Sequence, residues 1–363
     1  MTRTRLALVI AISMASVACA SPSPRPHGHL PRLANSLDAL PATFVAISQS
    51  ASEAPHVEMF SASTGQPLGA VPGLPTGSQL QSLQVSSTGA IWVTASRGPR
   101  DRNGTLGGDP APNSCSSSVV TLATPGAQPQ KVWTFPSSQW VGDAVPSPSG
   151  RRVAYLSASC ASSFADAHVV LRSRQGDIRL TLGSNAITCH VLSTPFWSPN
   201  GQEVTFTYSA SSLTAASPPP IPGDCPEWHP GELAVVGTGK STGTHGFRLL
   251  AASAGCGFRT SAFDRWGLVA IETCGYMELG PAYLEQFSPR LRLERRVPLM
   301  PGSDPTSLSV SPGGEFVLVD EYQAPSTSGP ALPWDWVWIF NWSGLRLVRR
   351  YPDVRYGLSQ ASW

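Results

Sequence analysis

One short turn recurs along this chain, each time ahead of an apolar strand. It is fullest at Trp197-Ser198-Pro199-Asn200-Gly201, after which Val204, Phe206 and Tyr208 alternate with polar residues. Proline fixes φ at the first corner and glycine accepts the positive φ at the last. The alternation that follows is what a half-buried strand requires. Related turns stand at 86–89, 147–150, 264–267 and 311–314 and lead into Ile91-Trp92-Val93, Val153-Ala154-Tyr155-Leu156, Leu268-Val269-Ala270-Ile271 and Phe316-Val317-Leu318-Val319. From Gly89 through Gly150, Gly201 and Gly267 to Gly314 the intervals are 61, 51, 66 and 47 residues. Those lengths suit a four-stranded propeller blade with loops of varying size.

The two ends of the chain complete the pattern. Leu358-Ser359-Gln360-Ala361-Ser362-Trp363 matches Leu192-Ser193-Thr194-Pro195-Phe196-Trp197 and stops where the turn should follow. The remainder of that unit lies near the N-terminus: Val45-Ala46-Ile47-Ser48 resembles Val153-Ala154-Tyr155-Leu156-Ser157, and His56-Val57-Glu58-Met59 resembles His168-Val169-Val170-Leu171. The expected fold is therefore all-β, a six-bladed β-propeller over residues 42–363. One blade takes its innermost strand from the C-terminus and three strands from the N-terminus. Such a splice removes open sheet edges. The six innermost strands are expected near 80–86, 140–147, 191–198, 257–264, 304–311 and 357–363.

The Trp-Ser-Pro-x-Gly turn with its following Val-x-Phe strand resembles the propeller repeat of the TolB-type, WD-like family. Only the copies at 147–150, 198–201 and 311–314 carry the full Ser-Pro-x-Gly. The resemblance implies the fold and leaves activity open, since propellers host many unrelated functions.

Residues 1–20 read as an export signal: Arg3 and Arg5, an apolar stretch over 6–14, then small residues. That stretch is shorter than the ~20 residues that spanning needs. Ser16-Val17-Ala18-Cys19 resembles a bacterial lipobox, with Ser16 where leucine is usual. That resemblance implies acylation at Cys19 and a lipid anchor; the alternative is secretion after cleavage beyond Ala20. Residues 21–41 are Pro-rich and suit a tether. His27 and His29 within it lack further ligands for a metal. Net charge is +2 with 13% charged residues. The Arg290-Leu291-Arg292-Leu293-Glu294-Arg295-Arg296 run reads as a solvated outer strand, so no nucleic-acid partner is expected.

Beyond Cys19 the chain has six cysteines, Cys115, Cys160, Cys189, Cys225, Cys256 and Cys274. An even number in an exported chain points to disulfides. In an up-and-down blade all six positions lie on one face of the disk. Cys256 and Cys274 are centred on the turn of their own hairpin and are expected to pair. Cys115–Cys160 and Cys189–Cys225 are the pairings expected next, among the fifteen that six cysteines allow. No Cys-x-x-Cys spacing supports zinc, and no metal or cofactor is expected. The insertions at 97–116 and 210–230 would crown the same face, where binding sites usually sit.

In Trp334-Asp335-Trp336-Val337-Trp338-Ile339-Phe340-Asn341-Trp342, period two places all four tryptophans and Phe340 on one side. Packing against a neighbouring blade is the expected use of that side. Trp334 and Trp342, at its ends, are the expected exposed rings, a possible platform for a glycan or an apolar partner. There is no Gly-x-Ser-x-Gly, no His-Glu-x-x-His and no phosphate or dinucleotide fingerprint. Acidic residues on or near inner strands are Asp143, Asp264, Asp304 and Asp320. Asp143 is the catalytic candidate among them, and an Asx turn accounts for Asp264. The expectation is a binding or scaffolding module at the cell envelope, anchored in the membrane, whose partner is an envelope protein or glycan. The alternative is an enzyme acting on carbohydrate or a small metabolite in the central channel. Converging carboxylates at the channel mouth would distinguish the enzyme.

Overall fold

A computed structural model of the protein describes residues 40–49, 54–77, 80–86, 88–97, 115–160, 168–180, 193–208, 232–238, 247–274, 280–299, 304–323, 334–353 and 357–363. The expected leader, Cys19, nearly all of the tether, Cys189, Cys225 and most of both long insertions lie outside these residues. The strands are β1 (Thr43–Gln49), β2 (His56–Ser61) and β3 (Pro67–Ala70); β4 (Leu80–Val85), β5 (Ile91–Arg97), β6 (Ser116–Leu122) and β7 (Gln130–Thr134); and β8 (Gln139–Pro146), β9 (Val153–Ser159), β10 (His168–Ser173) and β11 (Gly176–Leu180). They continue with β12 (Phe196–Trp197), β13 (Glu203–Tyr208), β14 (Glu232–Gly237) and β15 (Phe247–Leu250), then β16 (Cys256–Asp264), β17 (Gly267–Cys274), β18 (Ala282–Phe287) and β19 (Leu293–Pro298). The last are β20 (Asp304–Val310), β21 (Phe316–Gln323), β22 (Trp334–Asn341), β23 (Arg346–Asp353) and β24 (Gly357–Ser362).

These strands form six antiparallel four-stranded sheets. Five are consecutive quartets, and the sixth has the order β24-β1-β2-β3, so the C-terminal strand is the innermost of the first blade. Val45 pairs with Ser362, and Ile47 with Ser359. The innermost strands touch one another in the cyclic order β24, β4, β8, β12, β16, β20 and back to β24. The ring is closed, and its clasp is where the repeat placed it.

The recurring serine has a mechanical role. In the turn at Ser198, Gly201 N donates to Ser198 O at 2.8 Å, and Ser198 Oγ accepts from Glu203 N at 2.8 Å. The same pair of bonds recurs at Ser86, Ser147 and Ser311. The hydroxyl thus satisfies an amide as the next strand begins, where an alanine would leave it bare. Asp264 departs from this scheme: its Oδ1 accepts from the amide of the next residue, Arg265. It also fills the space that a side chain at Gly314 would need, and Gly314 has φ +76.

Blades meet through six apolar interfaces, one between each neighbouring pair. Phe44, Phe60, Phe316, Leu318 and Trp363 pack between the sixth and first blades. Val45, Ile47, Leu83 and Val93 pack between the first and second, and Trp92, Val141 and Tyr155 between the second and third. Leu156, Trp197 and Phe206 join the third to the fourth. Leu233, Leu268 and Phe287 join the fourth to the fifth, and Ile271, Leu284, Trp338 and Phe340 join the fifth to the sixth. Alternate residues of one strand serve different neighbours. Val317 and Val319 face the fifth blade, while Phe316 and Leu318 face the first. Hydroxyls bond the innermost strands across blade boundaries. Ser117 Oγ and Thr94 Oγ1 on the second blade accept from Val141 N and Ala144 N on the third. Thr205 Oγ1 lies 2.9 Å from Ser261 Oγ across the next boundary but one. Ser and Thr there bond the blades to each other while staying small enough for strands to converge.

Candidate functional site

Two of the expected disulfides are present, Cys115–Cys160 and Cys256–Cys274. Cys115 precedes β6 and Cys160 follows β9, so this bridge ties the second blade to the third. Cys256 and Cys274 are directly opposed on β16 and β17. Both bridges lie at the end of the disk where second strands finish and third strands begin, the end from which the 97–116 and 210–230 insertions depart. Two disulfides are consistent with an extracytoplasmic location. The Cys115–Cys160 bridge spans 45 residues. Replacing both cysteines by serine is expected to cost about 2–4 kcal/mol, read from urea unfolding with and without reductant. An unchanged midpoint would mean that the bridge does not restrain the unfolded chain.

Beneath Cys256–Cys274 two buried carboxylates meet a partly exposed arginine on the side of the fifth blade that faces the fourth. Glu272 and Glu285 are 1% and 3% exposed. Arg296 Nη2 donates to Glu272 Oε2 at 2.5 Å, and its Nε reaches Glu285 Oε1 at 3.2 Å. Ser253 N donates to Glu272 Oε1 at 2.6 Å. The guanidinium also stacks over Tyr283, 3.7 Å from the ring centroid. Burial, reinforced by the Glu272 charge, pushes the Glu285 carboxyl up to about 7. Cys256, Glu272 and Cys274 bring potential ligand atoms within 4.8 Å of one another. Both sulfurs are bonded to each other, so the trio offers no thiolates to a metal.

Asp143 sits on the innermost strand of the third blade and is half-buried. It occupies a bulge between Gly142 and Val145, with φ 48. Aspartate tolerates this left-handed conformation better than most residues. Gly142 allows the bulge because a side chain there would meet the Trp140 ring. The other acidic candidates, Asp264, Asp304 and Asp320, belong to the fifth and sixth blades. Asp264 ends β16 at the side of the disk opposite the disulfides, and burial raises its carboxyl to about 6. Among the described residues, then, no sheet brings a second of these candidates beside Asp143.

Trp342 is a correction. The exposed ring expected there is 4% exposed. It follows Trp336, Trp338 and Phe340 on the side facing the fifth blade and packs in that interface with Leu345 and Leu347. The strand's aromatic side is core, as expected, but its C-terminal end is no exception. The side chain of Trp334 lies outside the described residues. Among the described residues the exposed ring is instead Trp266, in the turn between β16 and β17, at 45%. It borders a groove of about 290 Å³ with Gln286, Glu294, Arg295, Trp342 and Ser343. The turn holding Trp266 was legible in the sequence; its exposure depends on the sixth blade not covering it.

No family model matches the chain, and no curated protein matches its sequence. Several solved structures are similar in shape. The putative TolB from Agrobacterium tumefaciens is 13% identical, with 88% of this chain and 91% of that chain covered and a TM-score of 0.49. Prolyl oligopeptidase B from Galerina marginata is 9% identical at a TM-score of 0.45; 88% of this chain is covered, but this chain spans only 41% of that one. Oligogalacturonate lyase from Vibrio parahaemolyticus is 10% identical, covering 87% of this chain and 80% of that chain, at 0.45. It is the chain's own strand pairing, six sheets in a closed cycle, that makes it a six-bladed β-propeller.

Proposed function

We propose that this propeller is an exported binding or scaffolding module, held at the cell envelope by a lipid on Cys19 and a Pro-rich tether. Recognition falls to the face that carries the disulfides. The supporting observation is their placement: both bridges secure strand ends at the face from which the long insertions leave. Pinning the base of a loop lowers its entropy and pre-organises a recognition surface. The carboxylates of the fifth blade, 1% and 3% exposed and engaged with Arg296 and a backbone amide, are closed to a substrate, so a structural role is assigned to them. The partner is an envelope protein or glycan.

The anchor is tested by Cys19→Ser in the native host. Wild type is expected in the membrane fraction and labelled by an alkyne fatty acid, and the variant in the soluble or secreted fraction without label. Equal membrane retention of the variant would overturn the lipid anchor. The binding face is tested by exchanging residues 98–114 for a short Gly/Ser linker and comparing partners crosslinked from intact cells. Loss of the wild-type partner with folding retained is the expected result.

A further inference from the structure

We propose that the groove between the fifth and sixth blades, on the face opposite the disulfides, is a saccharide subsite that takes one uncharged pyranose ring. This goes beyond the binding role assigned to the disulfide face and stands independently of it. At 45% exposure Trp266 is the most open aromatic side chain among the described residues. Arg265 stacks on its ring, 3.9 Å from the centroid, and pairs with Glu315 at 3.8 Å, which holds the indole at the groove's rim. Gln286 lies beside it, 5% exposed. Its amide nitrogen donates to Trp342 O at 3.2 Å, and its carbonyl oxygen has no donor. A buried carbonyl left so carries a desolvation cost that a ligand hydroxyl would relieve after a small side-chain adjustment.

The chemistry matches a sugar better than other small ligands. A pyranose has an apolar C–H face for stacking on an indole and a rim of hydroxyls that both donate and accept. The groove is lined by Trp266, Gln286, Glu294, Arg295, Trp342 and Ser343, which combine an indole face with amide, carboxylate, guanidinium and hydroxyl side chains; the Ser343 hydroxyl, donated to Asn341, keeps accepting capacity. Arg265 and Arg295 are balanced by Glu294 and Glu315, so neither sign prevails, which selects against phosphorylated or strongly acidic ligands. A volume of about 290 Å³ falls at the small end of ligand pockets and suits a single ring.

The test is saturation-transfer NMR on the whole protein with methyl glycosides of glucose, galactose, mannose and N-acetylglucosamine, then trimers of whichever binds. At least one is expected to bind with a dissociation constant of order 1 mM. Trp266→Ala, in a surface turn, is expected to keep cooperative unfolding and to weaken binding about tenfold. Arg295→Gln, a second exposed change, is expected to weaken it as well. Absence of binding by every sugar at saturating concentration overturns the proposal. So does binding that survives both substitutions, which would place the sugar elsewhere.

Discussion

Deleting residues 357–363 is expected to abolish cooperative unfolding of the whole domain. That short segment forms the innermost strand of the first blade and links three blades. Ser362 Oγ accepts from Val85 N of the second blade at 3.0 Å and lies 3.3 Å from Ser309 Oγ of the sixth. Trp363 N donates to Ser309 Oγ at 3.4 Å, and its ring packs near Phe44 and Phe316, with centroids 6.4 and 6.5 Å away. Without it, β1 becomes an unpaired inner edge and the core between the first and sixth blades opens to water. Trp363→Ala alone is expected to cost about 3–5 kcal/mol. Domains hold only about 5–15 kcal/mol in total, so losing the strand as well should exceed what the fold has. Circular dichroism during urea titration is the measurement: a broad, probe-dependent loss of signal is expected for the deletion. A sharp transition near the wild-type midpoint would show that five blades and an open sheet hold together alone.

That clasp was legible because its signal is local and repeated. Leu358 to Trp363 repeats the Leu-Ser and the Trp of Leu192 to Trp197 at the same spacing, and the turn that should follow is missing. The Cys256–Cys274 pairing was legible for a related reason, since equal spacing about a turn fixes cross-strand partners once the hairpin is accepted. What escaped the sequence is what depends on three elements at once. Glu272, Glu285 and Arg296 sit on three different strands, and nothing in Arg295-Arg296 marks the second arginine as the one turned toward buried carboxylates. An outer strand with alternating charge looks solvated, and β19 largely is; the exception is set by its neighbour, β18. Trp342 escaped for the opposite reason. Period two correctly gave its side, but the end of a strand says little about how the adjoining turn closes over it.

The two buried carboxylates also make stability depend on pH in an uncommon direction. Most carboxylates in native proteins are stabilised as anions, and acid unfolds the chain. Glu285 instead titrates at about 7, against an ordinary 4.5, first because it is buried and then because Glu272 is beside it. The folded state therefore keeps a proton that the unfolded state releases. Its contribution to stability is complete below about pH 4.5 and is lost as pH rises through about 7. Asp264, held up to about 6 by burial, adds a loss of the same sign at lower pH. Glu285→Gln keeps the shape and a neutral donor, and is expected to flatten the slope between about pH 4.5 and 7, with a gain of about 2 kcal/mol above that window. Arg296→Met should act oppositely, costing about 3–5 kcal/mol at neutral pH, because it leaves Glu272 buried without a counter-ion. Adding Glu272→Gln to Arg296→Met should recover most of that loss, since the single change is costly mainly for the charge it strands. Urea midpoints across this pH range decide the matter. If Glu285→Gln unfolds with the wild-type slope, the proton is held elsewhere; if the double variant is no better than Arg296→Met, the arginine acts by packing on Tyr283 rather than by charge.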